Sequence, residues 1–200
     1  MPELSESSIE RDPIAQFAKW YEEARAAVRP HPHAAALATA TPAGRPSARM
    51  VLMKDFDHRG FVFFTNYESR KGRELEKNAR ATLLFYWGVL DRQVRIEGRV
   101  ARVAPRESDE YFATRPRGSQ LAAWASDQSE VVPSRAALER SVKAFAARYR
   151  GEVPRPPHWG GYRLRPAAIE FWQSREDRLH DRILYRRGHD GRWRIVRLAP

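Results

Sequence analysis

Between residues 34 and 103 the chain divides into five short runs of β character, and the turns between them leave room for few architectures. AAALATA (34–40) and PSARMVLMK (46–54) flank the turn Thr41-Pro42-Ala43-Gly44. Asp57-His58-Arg59-Gly60 leads into GFVFFTN (60–66), and ATLLFYW (81–87) is followed by RQVRIEGRVARV (92–103). The last run alternates Val94, Ile96 and, after Gly98, Val100 with polar partners, the period of a strand with one buried face. A strand at 162–173 precedes a closing hairpin, RILYRR and RWRIVRL, joined by Gly188-His189-Asp190-Gly191. Seven or eight strands, mostly linked as hairpins, predict a small antiparallel barrel.

Helices punctuate this pattern. Asp12-Pro13 reads as an N-cap with proline in the first turn, and Ile14, Phe17, Ala18, Tyr21, Ala24 and Val28 follow at helical spacing. SRKGRELEKNA (69–79) is a short helix capped by Ser69. Residues 106–114 and 118–125 form two more, broken at Arg115-Pro116-Arg117-Gly118. Ser134 caps a longer one striped by Leu138, Val142, Phe145 and Tyr149. The fold class is mainly β with peripheral helices (α+β). With no repeat, low-complexity tract or linker, residues 1–200 make one domain. Residues 1–11 are expected to be a flexible N-terminal arm, and 174–200 a C-terminal segment with a hairpin.

The absence of cysteine excludes disulfides, thiolate catalysis, cysteine-bound zinc and iron–sulfur clusters. No apolar run is long enough to span a bilayer, and the acidic, polar start MPELSESSIERD reads as neither a signal nor a transit peptide. These features predict a cytoplasmic protein with no membrane partner. The net charge of +11 has three readings: a nucleic-acid surface, pockets for small phosphorylated ligands, or solvated arginines.

The distribution of charges separates them. No G-x-G-x-x-G follows a strand and no Walker A sequence is present. His31-x-His33 lacks the further ligands a closed metal site needs, so no metal is expected. RMVLMK (49–54) puts Arg49 and Lys54 at the ends of an apolar strand, which taken alone reads as a core strand with snorkelling ends. TNYESRKG (65–72) gathers Thr65, Ser69, Arg70 and Lys71 at a strand-to-helix junction, either a phosphate pocket, since the helix start already favours an anion, or a capped, solvated helix start. Tyr111, Arg115 and Ser119 recur every four residues, in a phosphate-binding helix face or in an exposed basic loop.

RLHDR (178–182) places Arg178, His180 and Arg182 at alternate positions. On an extended chain that spacing aims all three to one side and Leu179 and Asp181 to the other, with Trp172 just upstream. Indole and guanidinium groups both stack on planar rings. Two anion pockets and a stacking site argue for two phosphorylated planar ligands. A nucleic-acid surface would need exposed aromatics on a continuous basic face, whereas the aromatics of 61–67 and 85–87 lie in apolar strands.

RMVLMK, FVFFTNYESRKGREL, LLFYW, RQVRIEGRV, YFATRPRGSQLAAWASDQS, PRPPHWGGYR, IEFWQ and RLHDR together resemble the pyridoxamine 5′-phosphate oxidase family, from about Asp12 to the terminal RLAP. The resemblance implies an FMN-binding split β-barrel that forms a homodimer with FMN at the subunit interface. It implies oxidation of pyridoxamine or pyridoxine 5′-phosphate to pyridoxal 5′-phosphate by O2, with release of H2O2 and, from the amine, ammonia.

By the same resemblance, FMN meets Arg49, Met50, Val51, Leu52, Met53, Lys54, Phe64, Thr65, Arg70, Lys71, Gln93, Gln128, Ser129, Trp172 and Arg182. The substrate phosphate meets Lys54, Tyr111, Arg115 and Ser119. Arg178 and His180 are the catalytic pair facing the pyridine ring, and Leu179 between them contributes at most backbone. The alternatives are a flavin oxidase of the phenazine-biosynthesis type, which keeps a similar RLH segment, and a basic nucleic-acid-binding barrel.

Overall fold

In the computed structural model, residues 4–200 are described. Eight strands run in the order β3-β2-β1-β4-β5-β6-β7-β8, and β3 also pairs with β6. That extra pairing closes six antiparallel strands into a barrel and leaves β7 and β8 as an extension beyond β6. The strands are β1 (Ala34–Ala40), β2 (Pro46–Asp57), β3 (Gly60–Asn66), β4 (Arg80–Trp87), β5 (Arg92–Arg102), β6 (Trp159–Gln173), β7 (Asp181–Arg187) and β8 (Trp193–Arg197). Five α-helices join them: α1 (Pro13–Ala27), α2 (Arg70–Lys77), α3 (Pro105–Ala113), α4 (Arg117–Ala125) and α5 (Arg135–Arg148).

β6 is the hinge of the topology. Its first half, from Trp159 to Leu164, pairs with β3, and its second, from Ala168 to Gln173, pairs with β7. β5 runs beside both halves, with a bulge at Glu97/Gly98 where the barrel turns. The expected start of this strand at residue 162 moves back to Trp159. Gly160 and Gly161 read as loop residues in sequence, but they are glycine because other atoms fill the space. A Cβ on Gly160 would lie 2.1 Å from the Tyr67 hydroxyl, and one on Gly161 2.6 Å from Val103 Cγ2. β2 likewise outlasts its expected end, running through Asp57 with a bulge between Met53 and Asp55.

α1 begins where Asp12 accepts from the Ile14 N–H at 3.0 Å, and it packs its apolar face across the barrel. Phe17 is fully buried against Phe56, Phe61, Phe85 and Trp87. Burying a side chain of this size contributes about 1.5–3 kcal/mol, so this one helix face is a main support of the core. A second apolar cluster of Phe112, Leu121, Val153 and Trp159 joins α3 and α4 to the outside of the barrel.

The segment expected to be a flexible arm is docked over its described part. Leu4 is buried, its N–H donates to Asp181, and the Tyr185 hydroxyl donates to the Glu10 carbonyl at 2.5 Å. Residues 1–3 lie outside the described residues. Among the described residues no helix is long and apolar enough to cross a membrane.

Candidate active site

The bulge in β2, the outer face of β3 and helices α3 and α4 enclose a cavity of about 640 Å³. Met50, Val51, Leu52, Lys54, Phe64, Thr65, Lys71, Tyr111, Arg115, Ser119 and Gln128 line it, eleven of the residues the sequence singled out. Tyr111, Arg115 and Ser119 do not share one continuous helix. α3 ends at Ala113 and α4 starts at Arg117, so the break at Pro116 turns two helix ends toward the same space.

Arg115 is the most informative side chain. Its guanidinium lies 4.5 Å from the Trp159 ring centroid and 5.5 Å from that of Phe112, and its Nη1 is buried without a hydrogen-bond partner. Burial pushes its pKa below the ordinary arginine value, and no carboxylate compensates. A buried, unpaired cationic donor is costly unless an anion arrives. Phe64 stacks on Tyr111 at 4.0 Å and on Trp159 at 5.5 Å, building the apolar wall of the same cavity.

A second cationic subsite sits at the start of α2. Lys71 is buried, and its Nζ donates to Gln128 at 2.8 Å, to Thr65 at 3.1 Å and to Ser69 at 3.3 Å. Burial and the nearby Arg49 charge depress its pKa to about 8. The Arg70 N–H donates to Ser129 Oγ at 3.2 Å, which brings Ser129 to the same helix start. Arg49 does not line the cavity. It turns to the barrel end, where it pairs with Glu74. Met53 departs from the expected set: its side chain is in the core and its N–H donates to the His33 carbonyl.

The remaining expected residues lie elsewhere on the barrel. Gln93, Trp172 and Arg182 are directly opposite one another on β5, β6 and β7, so their side chains share the outer face. With Leu84, Arg95, Glu170 and Pro200 they line a separate hollow of about 280 Å³. Buried Glu170 pairs with both Arg95 and Arg182, the latter at 2.8 Å.

Arg178, His180 and Arg182 do not form one extended line. Residues 176–178 make a 3₁₀ turn, with Asp177 and Arg178 at φ of 52° and 60°, and β7 begins only at Asp181. Arg178 and Leu179 project from this turn and are exposed, while the His180 ring packs 4.7 Å from the Trp172 ring. The cavity and the hollow share no residue, so one chain carries the expected site in two parts.

Sequence reasoning missed Asn66, Thr114, Ser126 and Trp159 in the cavity wall. It also missed the buried carboxylates Glu74 and Glu170 behind the cationic groups. Glu74 stands four residues after Arg70 on a helix, a spacing that brings side chains together and could have found it.

A family model for pyridoxamine 5′-phosphate oxidase matches residues 21–149, and one for the pyridoxine 5′-phosphate oxidase C-terminal dimerisation region matches 159–200. This chain belongs to the pyridoxine/pyridoxamine 5′-phosphate oxidase family. It is 62% identical to the pyridoxine/pyridoxamine 5′-phosphate oxidase of Rubrobacter xylanophilus over 98% of this chain and 91% of that one. It is 57% identical to the enzyme of the same name from Nostoc punctiforme, over 98% and 92%.

Among solved structures, PhzG from Burkholderia lata in complex with tetrahydrophenazine-1-carboxylic acid superposes with a TM-score of 0.92. The identity there is 35%, over 99% of this chain and 98% of that one. A pyridoxamine 5′-phosphate oxidase-related, FMN binding protein from Nostoc punctiforme reaches 0.73 at 17% identity, covering all of both chains, and shares the fold. Membership of the family implies a flavin, and the chemistry of the two cationic subsites fits phosphate-bearing ligands.

Proposed function

We propose that the chain oxidises pyridoxamine or pyridoxine 5′-phosphate to pyridoxal 5′-phosphate, with FMN as cofactor and O2 as acceptor. H2O2 is released, with ammonia when the substrate is the amine. One observation carries this reading: a single cavity is lined by two separated cations, Lys71 and Arg115, and neither side chain is paired with a carboxylate. Two phosphorylated ligands satisfy both. The phenazine-type alternative is the weaker reading, since the Rubrobacter and Nostoc pyridoxine/pyridoxamine 5′-phosphate oxidases stand at 62% and 57% identity and PhzG at 35%.

When bound, FMN would supply the two-electron acceptor for hydride from the substrate's C4′, with O2 as the final oxidant. The chain's residues bind, orient and polarise. Lys71, Arg70, Thr65, Gln128 and Ser129 would hold the flavin phosphate, with Arg49 adding its charge from the barrel end, and Met50 to Leu52 and Phe64 would contact the rest of the cofactor. Lys54, Tyr111, Arg115 and Ser119 hold the substrate phosphate. Arg178 clamps the pyridine ring and stabilises developing charge, and His180 hydrogen-bonds near its 3-oxygen.

Gln93, Trp172, Arg182, Arg178 and His180 act on the cavity of a second copy, so the working unit is a homodimer with flavin at the interface. Three features support this arrangement. The site residues are divided between two places on one chain, residues 159–200 match a dimerisation region, and the outer face between those places exposes Met50 (64%) and Tyr86 (65%). We assign the protein to the cytoplasm and give it no nucleic-acid partner.

The test is anaerobic mixing of the purified protein with each substrate while flavin absorbance is followed. Bleaching by pyridoxamine or pyridoxine 5′-phosphate is the expected result. Bound flavin that neither substrate bleaches overturns the reading.

A further inference from the structure

At the far side of the flavin-phosphate subsite lies a carboxylate that no expected role includes. Glu74 is buried on α2, facing the ends of β1 and β2. Its Oε2 accepts from Thr39 Oγ1 at 2.5 Å, from Ser47 Oγ at 2.6 Å and from Arg49 Nη2 at 3.4 Å, while Oε1 accepts from Arg70 Nε at 3.0 Å. Arg49 is held further by donation of Nη1 to the Leu37 carbonyl at 3.2 Å and to Thr39 Oγ1 at 2.5 Å. Lys71, one turn earlier on the same helix, makes no contact with this carboxylate and points to Thr65 and Gln128 instead.

Three like charges gathered at one helix start repel one another, and an undirected guanidinium must give up rotamer freedom when an anion binds. One carboxylate between two of them answers both problems. It orients Arg49 and Arg70 before the ligand arrives, and it leaves a surplus of two positive charges. A phosphomonoester near neutral pH carries about −1.5 to −2.

We propose that Glu74 is a positioning residue for the flavin phosphate, fixing the guanidiniums of Arg49 and Arg70 and matching the local charge to a phosphomonoester dianion. The proposal rests on the assignment of this subsite to FMN. A merely structural Glu74, tying β1 and β2 to α2, would affect the fold without distinguishing phosphorylated from unphosphorylated flavin.

The experiment compares FMN and riboflavin affinities of the wild-type protein and Glu74→Gln, read by flavin fluorescence on release and rebinding. Glu74→Gln is expected to weaken FMN by about tenfold, the worth of one charge-assisted contact, and to leave riboflavin nearly unchanged. Equal losses for the two flavins, or unchanged or tighter FMN binding, overturn the proposal. Should Glu74→Gln not fold, Ser47→Ala removes one hydroxyl from the carboxylate and keeps its charge. A smaller FMN-selective loss is then expected, and no selective loss overturns the proposal. Failure of the FMN assignment itself looks different: the wild-type protein would bind both flavins equally.

Discussion

The backbone N–H of Arg175 donates to Nδ1 of His180 at 3.1 Å, so the neutral imidazole carries its proton on Nε2. The turn that makes this bond is pinned by the ion pair between Arg175 Nε and Asp181 at 2.6 Å. His180 therefore offers its free edge as a donor. Glutamine places an amide near the Nε2 position, whereas asparagine reaches only the Nδ1 position. His180→Gln is expected to retain more kcat/KM than His180→Asn, and His180→Leu the least, with flavin content unchanged in all three. Steady-state kinetics on flavin-matched preparations decide it, and an asparagine variant as active as glutamine would contradict the donor role.

Arg115 holds an unsatisfied Nη1 beside Trp159 and Phe112. Arg115→Lys keeps the charge but loses the planar fork and the stacking. It should raise the substrate KM with little change in bound FMN, at a loss of about 1.5–3 kcal/mol in kcat/KM. Kinetics with flavin stoichiometry measured in parallel would expose a flavin defect instead.

The depressed pKa of Lys71 gives FMN binding a pH dependence. In the folded, flavin-free protein its ammonium is lost as pH rises through about 8, whereas in the unfolded chain it persists to about 10.5. FMN affinity is expected to fall above pH 8, by at most about tenfold per pH unit, while riboflavin affinity stays level. Over the same window the unfolded chain holds more protons, so the flavin-free protein should gain stability with pH. Lys71→Ala should remove the pH dependence of the FMN dissociation constant. A slope that survives the substitution assigns it to another group.

Tyr86 is 65% exposed and stands directly opposite Gln93 in the sheet. A charge there would have to be buried in a dimer. Tyr86→Arg should shift the mass seen by light scattering from twice 23.1 kDa toward the single chain, with loss of flavin. A variant that becomes monomeric yet keeps stoichiometric FMN would separate assembly from cofactor binding.

The barrel was legible because β1, β4 and β5 alternate buried and more exposed positions, β2 and β3 carry apolar runs, and turn residues set β1, β2 and β3 apart. The cavity was legible in its cations and hydroxyls, because residues 65–71 and 111–119 cluster locally in sequence. The turn before β7 was not. Asp177 and Arg178 both take left-handed backbone conformations, which aspartate adopts readily but arginine does not announce, so an extended reading of RLHDR had little to contradict it. The buried carboxylates were hidden for another reason. Glu170 and Glu74 meet their arginines across strands or between a helix and the sheet, and only the pair Arg70–Glu74 has a local spacing. Closure of β3 on β6 joins residues about a hundred positions apart, a pairing that local pattern cannot specify.

The placement of the cavity on β2 and β3 and of the Gln93–Trp172–Arg182 row on β5 to β7 has a genetic consequence. In the proposed two-fold symmetric pair, each catalytic centre would draw its cavity from one subunit and its row from the other. Two differently crippled chains, Lys71→Ala and Arg182→Ala, should then rescue one another when co-refolded. A mixed pair concentrates both lesions in one centre and leaves the other intact. Random assortment would return about a quarter of the wild-type centres from two parents whose every centre is impaired.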